Sequence, residues 1–167
     1  ALAAAALAAF VILGLLLARR SAPRRVQWKQ LSFRRGMIWS GRFAPDEQGV
    51  VYSAAWDGSS VRIFSTRSGS TETRALELPP GKILAISPKG ELAFLRDPRL
   101  LFFFLQPGTL ARAALEGGSA RDLLEDVEGA DWSADGRELA IARRVGGKTR
   151  LEYPVGKILY ETESEIS

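Results

Sequence analysis

The sequence predicts an all-β fold: an incomplete β-propeller of about two and a half to three four-stranded blades, preceded by an N-terminal transmembrane helix. Three observations predict it. The first 18 residues carry no charge. From residue 41 onward, short β-prone runs are broken by turn signals. A turn-and-strand unit recurs at spacings of 43 and 46 residues.

The apolar run comes first. Residues 1–18 contain a single glycine, Gly14, and Arg19 and Arg20 end the run. Its length is close to the roughly 20 residues that a helix needs to cross a bilayer core. A signal peptide has a basic n-region after an initiator Met, and the run opens with neither. A small domain rarely buries a helix that is apolar all round. Residues 1–20 are therefore expected to be a transmembrane helix. The missing initiator Met suggests further chain before Ala1.

Charge divides the remainder. The net charge is +4, from 23 basic and 19 acidic residues. Arg19, Arg20, Arg24, Arg25, Lys29, Arg34, Arg35 and Arg42 all precede the first acid, Asp46, so the rest of the chain is net −4. Residues 21–40 are expected to be a basic juxtamembrane segment attracted to anionic lipid. A basic run without a recognition motif is weak support for nucleic-acid binding, which is not expected. The chain has no Cys, His or Asn. Disulfides, the usual zinc, haem and iron–sulfur ligands and N-glycosylation sites are thereby excluded.

Residues 41–167 read as partial propeller. Gly49–Trp56 is a strand, Asp57 and Gly58 form a primed hairpin turn, and residues 61–64 return. A turn at residues 67–70 leads to a strand at 72–78, and Pro79-Pro80-Gly81 closes the unit. Strands are expected next at 83–86, 91–95, 100–105, 109–115 and 120–124. Turns at 87–90, Pro107-Gly108 and 116–118 punctuate them. A third start follows at Gly129-Ala130-Asp131-Trp132, with a turn at 133–136 and a strand at 137–142. After Gly146-Gly147 come strands at 149–153 and 157–160, separated by Pro154.

The repeated unit is Phe43-Ala44-Pro45-Asp46, Ile86-Ser87-Pro88-Lys89 and Trp132-Ser133-Ala134-Asp135. A period of roughly 40–50 residues with about four strands marks a propeller blade. A four-stranded sheet of this size cannot cover its own apolar faces, and neighbouring blades must do so. A β-sandwich or simple meander explains the strands but not the period. A closed ring takes about four to eight blades, so this stretch cannot close alone. Continuation beyond Ser167, assembly from several chains and a truncated remnant are the three expectations.

These units resemble the TolB-type, WD40-like (PD40) propeller repeat, whose signature is roughly aromatic-Ser-Pro-Asp-Gly before an apolar strand. Trp132-Ser133-Ala134-Asp135-Gly136 departs only at the proline. Ile86-Ser87-Pro88-Lys89-Gly90 departs at the aromatic and the aspartate. Phe43-Ala44-Pro45-Asp46 has Glu47 and Gln48 before Gly49. The layout also resembles the sensor region that follows the kinase domain in bacterial transmembrane serine/threonine protein kinases. Residues 33–46 and 156–162 carry that likeness. Membrane-bound winged-helix regulators sometimes carry a similar propeller.

Without His or Cys, neither a Ser-His-Asp nor a Cys-His arrangement can form. Gly146-Gly147-Lys148-Thr149 lacks the earlier glycine of a phosphate loop, since Ala142 stands there, and reads as a hairpin turn. The acids Glu125, Asp126, Glu128 and Asp131 lack calcium-loop spacing and read as a solvated loop. Asp46 and Asp135 are expected to fix their turns by accepting backbone N–H bonds. Trp56 is expected to pack on a neighbouring blade rather than stack on a ligand. The run 100–105 reads as a buried innermost strand. No catalytic, cofactor-binding or metal-ligating residue is assigned, and no cofactor is expected.

The expected function is that of a non-catalytic, membrane-anchored sensor or interaction domain. By resemblance it is a fragment of a receptor-like kinase whose catalytic domain would precede Ala1. Its expected partners are the lipid bilayer, a protein or peptide on the propeller face, and further copies through open blade edges. A substrate-gating propeller of a prolyl-oligopeptidase-like hydrolase is the enzymatic alternative, and a non-functional remnant is the other. The basic run favours a cytoplasmic C-terminal side. The kinase resemblance places the propeller outside a single-pass cell membrane, and that is the expectation adopted.

Overall fold

The structure, a computed structural model, describes residues 30, 32–67, 69–70, 72–97, 107–164 and 166. The expected transmembrane helix, most of the juxtamembrane segment and the run 100–105 lie outside the described residues. Among the described residues, no helix is long and apolar enough to cross a membrane.

Eleven strands are described, all paired antiparallel. They are β1 (Gly36–Phe43), β2 (Gly49–Trp56), β3 (Arg62–Arg67), β4 (Thr73–Ala75), β5 (Gly81–Ile86) and β6 (Glu91–Arg96). β7 (Gly108–Ala114), β8 (Arg121–Trp132), β9 (Leu139–Val145), β10 (Lys148–Glu152) and β11 (Ile158–Thr162) follow. β1 to β4 form one four-stranded meander, and β5 to β11 form one seven-stranded meander. Both sheets are open, as in a propeller that has not closed.

The seven-stranded sheet contains two blades because β8 serves both. Its first half pairs with β7 as the outer strand of the second blade, and residues 129–132 pair with β9 as the inner strand of the third. Asp126 sits at φ 56 where the strand turns from one role to the other. The register slips between Val127 and Gly129, leaving Glu128 as a bulge. Similar bulges fall at Ile38/Ser40 in β1 and Ile83/Ala85 in β5. Every inner strand is thus bulged, a device that bends a strand and sharpens its twist.

The three turns of the repeat share one hydrogen-bond pattern, the second turn being one residue shorter. Ala44, Ser87 and Ser133 each donate a backbone N–H across the turn, to the carbonyls of Gly49, Glu91 and Glu138. Each accepts in return from the residue three positions on: Glu47, Gly90 and Gly136. Val50, Leu92 and Leu139 are therefore equivalent, as are Tyr52, Phe94 and Ile141.

Two clusters glue the blades. Val51, Ile63, Leu76 and Leu78 of the first blade pack on Ile83, Leu92, Phe94, Ala111 and Ala113 of the second. Leu84, Ala85, Ala93, Leu95, Leu110 and Val127 then pack on Leu139 and Ile141 of the third. The second blade is buried on both faces, which is why four successive residues of β6 (92–95) are apolar and fully buried. Polar bonds set the spacing. Ser53 Oγ accepts from Ile83 N at 2.7 Å, and Ser40 Oγ donates to Ile83 O at 2.8 Å. Arg112 spans the second junction: it grips Glu91 through two bonds of 2.7 and 2.6 Å and stacks 4.8 Å over the Trp132 ring.

Several expectations need correction. β1 begins at Gly36, inside the segment read as juxtamembrane; its exposed residues show no alternation to mark a strand. The strand expected at 72–78 is confined to Thr73–Ala75, because Leu76 and Leu78 leave the sheet to fill the first cluster. The strand expected at 137–142 runs from Leu139 to Val145. The acids from Glu125 to Asp131 lie on β8, not in a loop. Trp56 packs within its own blade, on Tyr52 and Phe64 at centroid distances of 6.2 and 6.0 Å.

Candidate interaction surface

The residues weighed for chemistry resolve into structural roles. Asp46 Oδ1 accepts from Gln48 N at 2.9 Å, and Asp135 Oδ1 accepts from Arg137 N at 3.1 Å and from Ser133 Oγ. Those bonds, that from Ser133 first, hold the Asp135 carboxyl below the usual carboxylate range. Gly146 and Gly147, at φ 59 and 83, make the β9–β10 hairpin, and Lys148 Nζ reaches Glu161 at 3.0 Å. Trp56 is 3% exposed, and Arg34 lies over its ring, so no face is left for a ligand. Among the described residues, no group of three or more His, Cys, Asp or Glu could hold a metal ion.

What remains is surface, and two clefts mark the junction of the first and second blades. The smaller, ≈ 330 Å³, lies between the first two repeat turns and is lined by Phe43, Ala44, Pro45, Glu47, Ile86, Ser87 and Pro88. Phe43 is 77% exposed at its rim. The motif aromatic of the first repeat thus faces outward, where Trp132 in the third packs against the core.

The larger cleft, ≈ 710 Å³, opens where the β3–β4 turn meets the β7–β8 turn. Thr66 Oγ1 donates to Glu72 O at 3.0 Å, and Ser70 Oγ accepts from Glu72 N at 2.9 Å, which shapes the first wall. Leu76 and Leu115 give an apolar floor, and Glu116 stands on the opposite wall. Arg67, Arg74, Glu72 and Glu116 line it as exposed side chains, none ion-paired among the described residues. Sequence reasoning missed this cleft because its walls come from turns about 45 residues apart, one blade period.

A second charged feature lies on the inner strands. Lys82 of β5 has its pKa lowered, by burial first and by the nearby Arg42 charge second. It sits on the side of β5 that faces the third blade, paired with Leu95.

Neither a protein-family model nor a curated protein matches the chain. Among solved structures, the chain is similar to TolB from Acinetobacter baumannii, with a TM-score of 0.54 and 16% sequence identity. The match covers 77% of this chain and 33% of that one, so the chain spans about a third of the length of the structure it resembles. At that identity the likeness is one of fold: an all-β chain folded as part of a TolB-like propeller.

Proposed function

We propose that this chain is a non-catalytic, membrane-anchored interaction domain, a piece of a receptor-like serine/threonine protein kinase, that captures an extended segment of a protein partner between its first two blades. The observation that carries the reading is the ≈ 710 Å³ cleft, with two arginines and two glutamates that find no ion pair within the described fold. An apolar floor with unpaired charges of both signs suits a peptide, whose backbone and mixed side chains use both. The propeller is the rigid frame and the turns are its reading surface. The uncharged run 1–18 and the basic residues after it support the anchor.

The test is peptide-display selection on the full chain held in lipid nanodiscs, repeated with Arg67→Glu/Arg74→Glu. The wild type should enrich a motif that the charge-reversed variant loses. Enrichment of the same peptides by both would reject the cleft. The absence of cysteine gives a clean test of membrane side: Ser70→Cys in intact cells should react with an impermeant maleimide if the propeller is extracytoplasmic.

A further inference from the structure

The two walls of the ≈ 710 Å³ cleft belong to blades that are each complete among the described strands, β1 to β4 and β5 to β8. Register fixes which side chains face it. Ser65 pairs with Arg74, and Thr66 with Thr73. Tyr52 Oη donates to Thr73 Oγ1 at 3.4 Å, which turns Thr73 toward the cluster of Tyr52, Trp56 and Phe64. Alternation then turns Ser65 and Arg74 to the opposite face, the one whose Ile63 and Leu76 pack on the second blade.

Carried one step further, the same register sets Arg67 opposite Glu72, whose carbonyl accepts from Thr66 Oγ1 at 3.0 Å. Opposite charges at facing positions of two strands offset each other. Arg74 faces the uncharged Ser65 instead, so it is the excess charge of the first wall. The second wall supplies Leu115 and Glu116, and Glu116 is its excess charge. Arg74 and Glu116 are both exposed, whereas Leu76 is 4% exposed and Leu115 is half-buried beneath them. A cation on one wall, an anion on the other and an apolar floor between them define the shape of the complement.

A peptide that crosses such a cleft in extended form turns successive side chains to opposite faces, with residues i and i+2 about 6.5–7 Å apart. Its middle side chain points to the floor, and the two neighbours stay at the mouth, one beside each wall. We infer, on the reading of this cleft as a peptide site, that the partner segment is a charged triplet: an apolar residue on Leu76 and Leu115, an acidic residue beside Arg74 and a basic residue beside Glu116. The apolar contact holds the segment, and the two charge pairs select it against segments of uniform charge.

The experiment uses the full chain in nanodiscs of zwitterionic lipid. The probes are fluorescent, end-blocked peptides with a central leucine, its two neighbours drawn from Glu, Gln and Lys, and Gly and Ser beyond. Binding is read by anisotropy. Wild type should bind one of the mixed orders, Glu-Leu-Lys or Lys-Leu-Glu, about tenfold more tightly than Gln-Leu-Gln. Glu116→Lys should move the best binder to Glu-Leu-Glu, and Arg74→Glu should move it to Lys-Leu-Lys. The double variant should restore the mixed preference in the reverse order. Circular dichroism identical to wild type shows that each variant is folded. If Glu116→Lys misfolds, Glu116→Gln decides, by losing the gain from the basic neighbour alone. Peptides that still need the cleft arginines, but whose preferred neighbours do not move with the wall charges, overturn the triplet and leave the cleft as a peptide site. If no peptide distinguishes wild type from Arg67→Glu/Arg74→Glu, the triplet and the cleft fall together.

Discussion

At the residue scale, one backbone position recurs in all three repeat turns with different occupants. Gly136 and Gly90, at φ 65 and 78, are the residues that this left-handed conformation favours, whereas Glu47 adopts φ 55 with a side chain. The left-handed region costs a non-glycine roughly 1–2 kcal/mol, and glycine gives back about half of that as unfolded-state entropy. Glu47→Gly is therefore expected to stabilise the fold by about 0.5–1 kcal/mol, read as a rise in urea midpoint without change in slope. Gly136→Ala should do the reverse and more. Its added Cβ would lie 3.1 Å from Pro88 Cδ and 3.3 Å from Ser87 Cβ, where the third turn stacks on the second. A loss of about 1–2 kcal/mol is expected. An Ala substitution there that leaves the midpoint unchanged would mean that the turns do not stack.

At the element scale, the outermost hairpin is held by one buried carboxylate. Glu152 is 1% exposed; Oε1 accepts from Arg143 Nε at 2.7 Å, and Oε2 accepts from Gly156 N at 2.8 Å in the turn to β11. Burial pushes its pKa up, but the Arg143 bond, the Gly156 bond and the charges of Arg143 and Arg150 together outweigh that, so the net shift is downward. A carboxylate depressed in the fold contributes stability that is full above the ordinary glutamate pKa of roughly 4.3, and loses it as pH falls through the lower folded value. Glu152→Gln should cost about 1–2 kcal/mol at pH 7, and the gap from wild type should close on acidification below roughly pH 4. A gap that stays constant down to acid pH would show that the charge of Glu152 is not what holds the turn. Elements such as this hairpin were legible in the sequence because glycine pairs and Pro154 mark their ends. β1 was not, since Gly36–Phe43 has exposed apolar residues amid arginines and its strand character comes from pairing with β2. β8 was not either. Its acids read as loop because strands rarely carry so many, yet Glu128 is tied to Arg144 and Asp131 bonds its neighbour's N–H. The cleft walls depend on register between strands distant in sequence, which no local pattern encodes.

At the scale of the whole molecule, the two blade junctions are built differently. The second and third blades share β8, so backbone hydrogen bonds run unbroken across seven strands. The first blade is a separate sheet, joined to the second by side-chain packing around Phe94, by the two serine bonds to Ile83 and by Gly81 N to Val61 O. Packing with three isolated hydrogen bonds can open while continuous ladders stay closed, so the first junction is the weaker seam. Phe94 is fully buried in that seam, and Phe94→Ala removes a large side chain with an expected cost of about 3–5 kcal/mol. Hydrogen exchange should then show where the cost falls. Amides of β2 and β3 should lose protection by a larger factor than those of β9 and β10. Leu110→Ala, at the second junction, empties a comparable site that is 0% exposed, but the β8 ladder bridges it. Its loss of about 2–5 kcal/mol should be spread evenly over β5 to β11. Equal deprotection of all strands in Phe94→Ala would mean that the arc unfolds as a single cooperative unit, and that the break between the two sheets has no energetic counterpart.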